Sequence, residues 1–393
     1  MKLKSWWLAA AVCVLPLLHA CGGNADDEES FSGAARLVNA TDGSVAFDLY
    51  ADDNKITNAV AVDSAGGYTK LDEGSYAFKL KAAGSSTTSL SSTHSISDDL
   101  RNTLLAYTTG QTLKAAWLDD EEDEPSSGSA KLRVFNASTE AGTVDVYLTT
   151  ANASLDDTAA TTSALGGEKL SAYSELSSGS YRVRVVGSGD TTDLRLDIPA
   201  FTLTDQQIAT LVLTSTPGGV LVHGLLVNER GAANAHKNTA ARVRLVASVA
   251  DKATVAATAN GTGLMTTALV SPKVGVYKLV DAGALTLDLK VNGATVAANG
   301  RALVAGSDTT LLVTGTAANA TLTQLDDDNR PAQVTGNTKL RLVHGVSGLD
   351  KTLSLTAAFG DVASDVALTN ASTPRSISAG TAIRLAATAT GVT

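Results

Sequence analysis

Five histidines, two cysteines and many serines and threonines are the side chains of this 393-residue chain whose types suit catalysis or metal binding. A zinc hydrolase needs two histidines one helical turn apart around a glutamate. His94, His223, His236 and His344 instead stand alone in the sequence. No Gly-x-Ser-x-Gly elbow and no phosphate loop occurs, so serine hydrolysis and nucleotide hydrolysis lack their usual machinery. Cys13 and Cys21 both fall within the first 21 residues, which leaves no thiol nucleophile and no disulfide framework for the rest of the chain. The acidic runs at 119–124 and 326–328 offer the hard oxygens that Ca²⁺ takes. They are contiguous, without the alternate spacing and glycine of a preformed loop, and read as solvated, self-repelling linkers. Sugar binding calls for aromatic platforms; beyond residue 20 the chain has one tryptophan, Trp117, near a strand end, where packing is its expected role.

Cys21 has a chemistry of its own. Lys2 and Lys4 form a positive start, and Trp6 to Leu18 is an apolar run of 13 residues broken only by Pro16. That is too short to span a bilayer and suits the apolar region of a signal peptide. Leu18-His19-Ala20-Cys21 then resembles a bacterial lipobox, which implies cleavage after Ala20 and acylation of the Cys21 thiol. Gly22 rather than Asp follows, which by resemblance to Gram-negative lipoprotein sorting favours the outer membrane. The polar, acidic stretch after it reads as a flexible tether.

The remaining candidates sit on a repeated frame. Arg36, Arg133, Arg244 and Arg341 each lie in an apolar strand, with gaps of 97, 111 and 97 residues. A second marker follows each: Tyr68 to Gly74, Tyr173 to Gly179, Tyr277 to Gly283 and Pro374 to Gly380, read as a hairpin whose tip glycine supplies a left-handed residue. Period-two alternation in Val144–Leu148, Arg182–Val186 and Leu285–Leu289 marks strands with one buried face. The repeated arginine is expected on the solvent face, its stem lying over a neighbour. His344 occupies the position of Asn39 and Asn136, which points to a structural polar role. Short strands, frequent turns and almost no helical periodicity predict β-sandwiches.

The resulting layout is a signal peptide at 1–20, a tether at 21–33, and sandwiches at 34–118, 130–228 and 241–325, joined by linkers at 119–129, 229–240 and 326–337. An incomplete fourth unit occupies 338–393. It stops after its hairpin; either the chain is a truncated version of a longer protein, the favoured reading, or this unit borrows a surface. Half a sandwich leaves an apolar face open.

The strand Arg133-Val134-Phe135-Asn136-Ala137-Ser138, then Val144-Asp145-Val146-Tyr147, then Gly179-Ser180-Tyr181 resembles the bacterial domain of unknown function 4397 (DUF4397). Repeat one is close behind; repeats three and four lose the tyrosines. The resemblance implies Ig-like sandwiches on the cell envelope or outside it and carries no assigned reaction.

Removing Lys2 and Lys4 from 30 basic residues leaves 28 against 40 acidic, a net charge of −12. Such a chain repels nucleic acid and anionic headgroups. The expectation is an all-β, non-enzymatic, lipid-anchored outer-membrane protein without cofactor, attached to the membrane through Cys21 and presenting a binding or spacer surface to a protein or glycan partner. The alternative is an adhesin or glycan-binding module, stiffened by calcium at its acidic linkers.

Overall fold

Residues 32–391 are described by the computed structural model. The expected signal peptide, Cys21 and the tether as far as Phe31 lie outside the described residues. Repeat one is built around its leading strand, Ala34–Ala40, which is buried along its whole length. Ala35 and Leu37 point into one apolar cluster, Val38 and Ala40 into another. A strand buried on both faces reads as a near-continuous apolar run rather than an alternation, as Ala-Ala-Arg-Leu-Val-Asn-Ala does. Arg101–Thr109 pairs with it in parallel, and Thr112–Asp119 closes the sheet antiparallel. The short strands Ser64–Ala65 and Thr69–Lys70 cover its other edge.

A second, antiparallel sheet of Asn54–Val60, Phe47–Ala51, Gly74–Ala82 and Thr88–Ile96 lies opposite. Leu37, Leu49, Phe78, Leu80, Ile96 and Leu104 fill the space between the two sheets. Trp117 belongs to this core: its ring stacks on His94 at 4.0 Å and meets Phe78 edge-on at 4.7 Å.

Repeats two and three reproduce the plan. Their leading strands are Ser129–Asn136 and Ala240–Val249, their parallel partners Ile208–Thr214 and Asp308–Gly315, and their closing strands His223–Asn228 and Ala320–Asp327. Among the described residues no helix is formed, and the chain is an all-β array of tandem sandwiches.

Three expectations need correction. The tyrosine-to-glycine segment is not a hairpin. Thr69–Lys70 bonds to the leading strand, whereas Gly74–Ala82 bonds to Phe47–Ala51, so the chain switches sheets at Gly74. Ser174–Ser177 and Gly179–Gly187 do the same in repeat two. Only Gly179 (φ 153°) and Gly283 (φ 114°) of the four marker glycines take positive φ. Tyr76 and Tyr181 each donate a hydroxyl hydrogen bond to the carbonyl four residues back, Asp72 and Ser177, and so brace the corner.

The segments read as linkers are also partly built into sheets. Asp119 ends one closing strand, Asp326 and Asp327 end another, and Ala233–His236 adds a strand to the sheet of repeat two. Several of their carboxylates are paired: Glu121 with Arg101, Glu122 with Lys131, Asp328 with Arg330 and Lys339, and, on the surface, Asp326 with Arg301. No group of residues suited to a metal ion is found among the described residues.

Repeat four has two sheets, one of Asn337–Leu340 with Arg375–Ser378, the other of Gly360–Val366, Leu353–Ala357 and Leu385–Ala389. His344 is fully buried. Its Nδ1 accepts from the Val346 amide and its Nε2 lies 2.9 Å from the Lys351 carbonyl. Asn136 makes the same two kinds of bond, to the Ser138 amide and the Gly142 carbonyl.

Leu104 sits opposite Trp117 in register and is 1% exposed. Leu104→Ala should cost about 2–5 kcal/mol through the cavity it leaves. Urea unfolding of the chain without its leader, followed by the fluorescence of Trp117, reads this directly; an unchanged midpoint would refute the packing described for repeat one.

Candidate functional site

The repeated arginines are not on the solvent face. Arg36 is 1% exposed and Arg133 8% exposed. A buried guanidinium must find a partner for every donor, and the fold supplies them in a fixed arrangement. The parallel register sets Thr103 opposite Arg36, Thr210 opposite Arg133 and Thr310 opposite Arg244. Each arginine Nε donates to the hydroxyl of that threonine, at 2.7, 2.9 and 2.8 Å.

The tyrosine that opens each sheet switch lies flat against the same guanidinium. Ring centroid and guanidinium carbon are 4.5 Å apart for Tyr68 and Arg36, 4.5 Å for Tyr173 and Arg133, and 4.7 Å for Tyr277 and Arg244. Such contacts strengthen as water is removed. The acid at the end of each closing strand, or just after it, completes the set. Asp120 accepts from Thr103 and from Tyr68, Asp327 accepts from Thr310 and Tyr277, and Glu229 lies 3.4 Å from the Tyr173 hydroxyl.

The outer guanidinium nitrogens then cross to the neighbouring repeat. Arg36 donates to the carbonyls of Asn228 and Gly231 at 2.9 and 2.8 Å. Arg133 returns the bond to the carbonyl of Asp119 at 3.1 Å. Asp119 and Asn228 are equivalent positions, each one residue before the joint acid, so the exchange is reciprocal. Around it the outer sheet faces of repeats one and two close on a shared apolar core of Val38, Leu105, Tyr107 and Leu118 against Phe135, Val212, Leu225 and Val227. Tyr107 and Phe135 meet edge-on at 5.4 Å. Repeat four repeats one half of the exchange: Arg341 donates to the Asp326 carbonyl at 2.8 Å and pairs with Asp327.

The joint concentrates carboxylates out of water. Burial, with Asp120 nearby, pushes the Glu229 carboxyl up to about 7, against partial relief from Arg230 and Arg133. Burial also raises Asp120, although Arg36 opposes it. The other titratable candidates are spent elsewhere. Burial pushes His223 down to about 4, and its Nδ1 accepts from the Asn238 amide at 2.9 Å. His94 is stacked on Trp117 and bonded to Asn102, and His236 leans on Phe201. The structure brings none of the four histidines together. What the chemistry-bearing residues make is a clamp between domains.

Sequence reasoning found the arginines and tyrosines as markers and missed the threonines and acids. The available signal was joint recurrence: arginine, tyrosine, threonine and acid keep their order in three repeats, and Pro374 replaces the tyrosine only in the fourth.

Arg36→Met strands the buried Asp120 carboxylate and should destabilise the pair of repeats by about 3–5 kcal/mol. The same change at Arg244, whose side chain is 28% exposed, should cost clearly less; equal losses in differential scanning calorimetry would contradict the clamp. A second outcome concerns pH. The ordinary carboxyl value for Glu229 is 4.5, and its folded value is about 7. The folded state holds the proton longer, so stability is full below pH 4.5 and falls as pH rises to 7, by about 1–3 kcal/mol. Glu229→Gln should flatten that part of the stability-against-pH curve, measured by urea unfolding from pH 4 to pH 8.

Comparison with known proteins adds the following. Two solved structures resemble the chain weakly. The Bacillus anthracis TIE protein has 9% identity and a TM-score of 0.15, covering 71% of this chain and 50% of its own. A product complex of the multi-modular glycogen-degrading pneumococcal virulence factor SpuA has 11% identity and a TM-score of 0.15, covering 68% of this chain and 37% of its own. This chain thus spans half or less of the length of those proteins. No curated protein matches the sequence. The family model described as a domain of unknown function, DUF4397, matches residues 33–147 and 241–349, each span running from one leading strand into the following repeat. With more than half of its length matched in this way, the chain belongs to the DUF4397 family.

Proposed function

We propose that this is a non-enzymatic lipoprotein of the outer membrane, anchored through lipid on Cys21, whose stacked sandwiches act as a stiff spacer that presents a binding surface. The observation that carries the reading is the fate of the polar side chains. The arginines, tyrosines, threonines and acids with unusual environments are consumed in holding repeat to repeat, and they converge on carbonyls of the neighbouring domain rather than on open space. A clamp of this kind removes the hinge that a flexible linker would leave between repeats one and two. The lipobox-like Leu18-His19-Ala20-Cys21 supports the anchor, and an acidic chain held near anionic headgroups is repelled from them. The glycan-binding alternative draws no support from Trp117, which lies in the core of repeat one.

The anchor is tested in the native host. Wild-type chain should incorporate labelled palmitate, partition into detergent and fractionate with the outer membrane. Cys21→Ser should lose all three properties and leave the chain in the aqueous phase. Labelling that persists in Cys21→Ser, or a wild-type chain that is never acylated, would remove the lipid anchor from the proposal.

A further inference from the structure

Repeat three holds one side chain whose chemistry the clamp does not use. Met265 is the one methionine of the chain beyond Met1. It lies at the sheet of repeat three that carries no clamp residue, and the cleft beside it is lined only by residues between 256 and 290. Strand Thr254–Ala259 pairs along one edge with Leu287–Val291. Its other edge is met only at the two ends, by Thr262–Gly263 and by Leu269–Val270. In the gap between them the Leu264 amide donates to the Ala257 carbonyl at 3.0 Å. The Ala257 amide donates to the Met265 Sδ at 3.3 Å. A thioether is a weak acceptor, and here it stands where a continuous ladder would supply a carbonyl.

The same side chain also fills space. Ala257 faces Leu289, six residues past the marker glycine Gly283; the equivalent pairs are Leu49 with Leu80 and Val146 with Val185. Repeat three thus has alanine at a core position that leucine and valine hold in repeats one and two. Met265 packs against that core, and methionine fills an irregular gap of this kind well. The side chain nevertheless stays reachable. It is only partly buried, and it lines an open cleft of about 200 Å³ with Thr258, Gly263, Thr266 and Lys290.

We propose that Met265 is an oxidation site, at which a peroxide converts the thioether to the sulfoxide and thereby loosens repeat three. A sulfur lone pair attacks one peroxide oxygen, and the O–O bond breaks as the S–O bond forms. Sulfur gives up two electrons, the departing hydroxide takes the proton of the transferred hydroxyl, and water leaves. The product is a polar, chiral side chain in place of an apolar one. Keeping it against Ala257 and Leu289 would bury a sulfoxide among apolar side chains, which costs free energy. The segment 264–268 therefore moves off the sheet, and the Ala257 amide loses its acceptor. A methionine sulfoxide reductase returns the thioether, so the change is reversible. The inference goes beyond the spacer reading and does not depend on where the chain is anchored.

The test treats the full chain with hydrogen peroxide and follows the peptide that contains Met265 by mass spectrometry. The expected result is the gain of one oxygen there, at a rate within about tenfold of that in the urea-unfolded chain. Amide exchange at Ala257 and across 264–268 should become faster by about tenfold, and the urea midpoint should fall. Methionine sulfoxide reductase with dithiothreitol should restore both. Met265→Leu keeps the volume and cannot take up oxygen, so peroxide should change neither its exchange nor its midpoint. Oxidation slowed beyond that tenfold by folding would show the sulfur closed off and overturn the proposal. An oxidised chain that exchanges and unfolds like the untreated one would overturn it equally. So would changes that the reductase fails to reverse, or that Met265→Leu also shows.

Discussion

A guanidinium placed in the middle of a strand that is buried on both faces is the constraint from which the rest follows. Removing such a charge from water costs several kcal/mol unless every donor is met. At Arg36 the parallel strand supplies Thr103, the sheet switch supplies Tyr68, and the end of the closing strand supplies Asp120. The remaining donors point out of the sandwich, and only the carbonyls of another repeat satisfy them. An isolated repeat would therefore expose an apolar sheet face with a guanidinium at its centre whose outer donors only water could meet. Pairing resolves both costs together, and reciprocity follows because the partner carries the same arginine at the equivalent place.

The same constraint explains features that look unrelated. A parallel pair inside an otherwise antiparallel sandwich puts a threonine, whose branched side chain suits a strand, beside the arginine in register. The acids that end the closing strands are where they are because a carboxylate must lie within reach of that hydroxyl. Their cost appears at Glu229, whose raised protonation threshold marks a group with less compensation than Asp120, which accepts from both Thr103 and Tyr68. Polar side chains fixed in this way are taken up in joining repeat one to repeat two.

Much of this was legible in the sequence. The repeated frame and its all-β character follow from strand periodicity and marker spacing, and the role of His344 follows from its alignment with Asn39 and Asn136. The burial of the arginines was not legible, because an arginine in an alternating strand looks the same whether its outward face meets water or another sheet. The apolar residues at both odd and even positions of Ala34–Ala40 carried that information, and period-two reasoning discards it. The acidic joints misled for the opposite reason. A run of like charges predicts a solvated linker when taken locally, whereas Lys131, Arg101, Arg230 and Arg301 arrive from elsewhere in the chain to neutralise it. The sheet switch at Gly74 was hidden because a corner between two sheets and a hairpin within one use the same turn residues.

The two spans matched by the family model start at the leading strands of repeats one and three and run into repeats two and four. This division agrees with the physical one. Repeats one and two share an apolar core across their outer faces, and repeats three and four are joined by the same kind of arginine-to-carbonyl contact, with a Ser248–Gly345 hydrogen bond at the position that Ala40 and Ala137 hold in the first pair. Stability in such an array belongs to the interface as much as to the single sandwich, as in other repeat proteins whose units cannot bury their faces alone. Destabilisation of one member then propagates to its partner through the clamp, because losing repeat two removes the carbonyls of Asn228 and Gly231 and uncovers the apolar face around Arg36. For repeats one and two the pair, rather than the sandwich, is the unit in which polar and apolar requirements are met together.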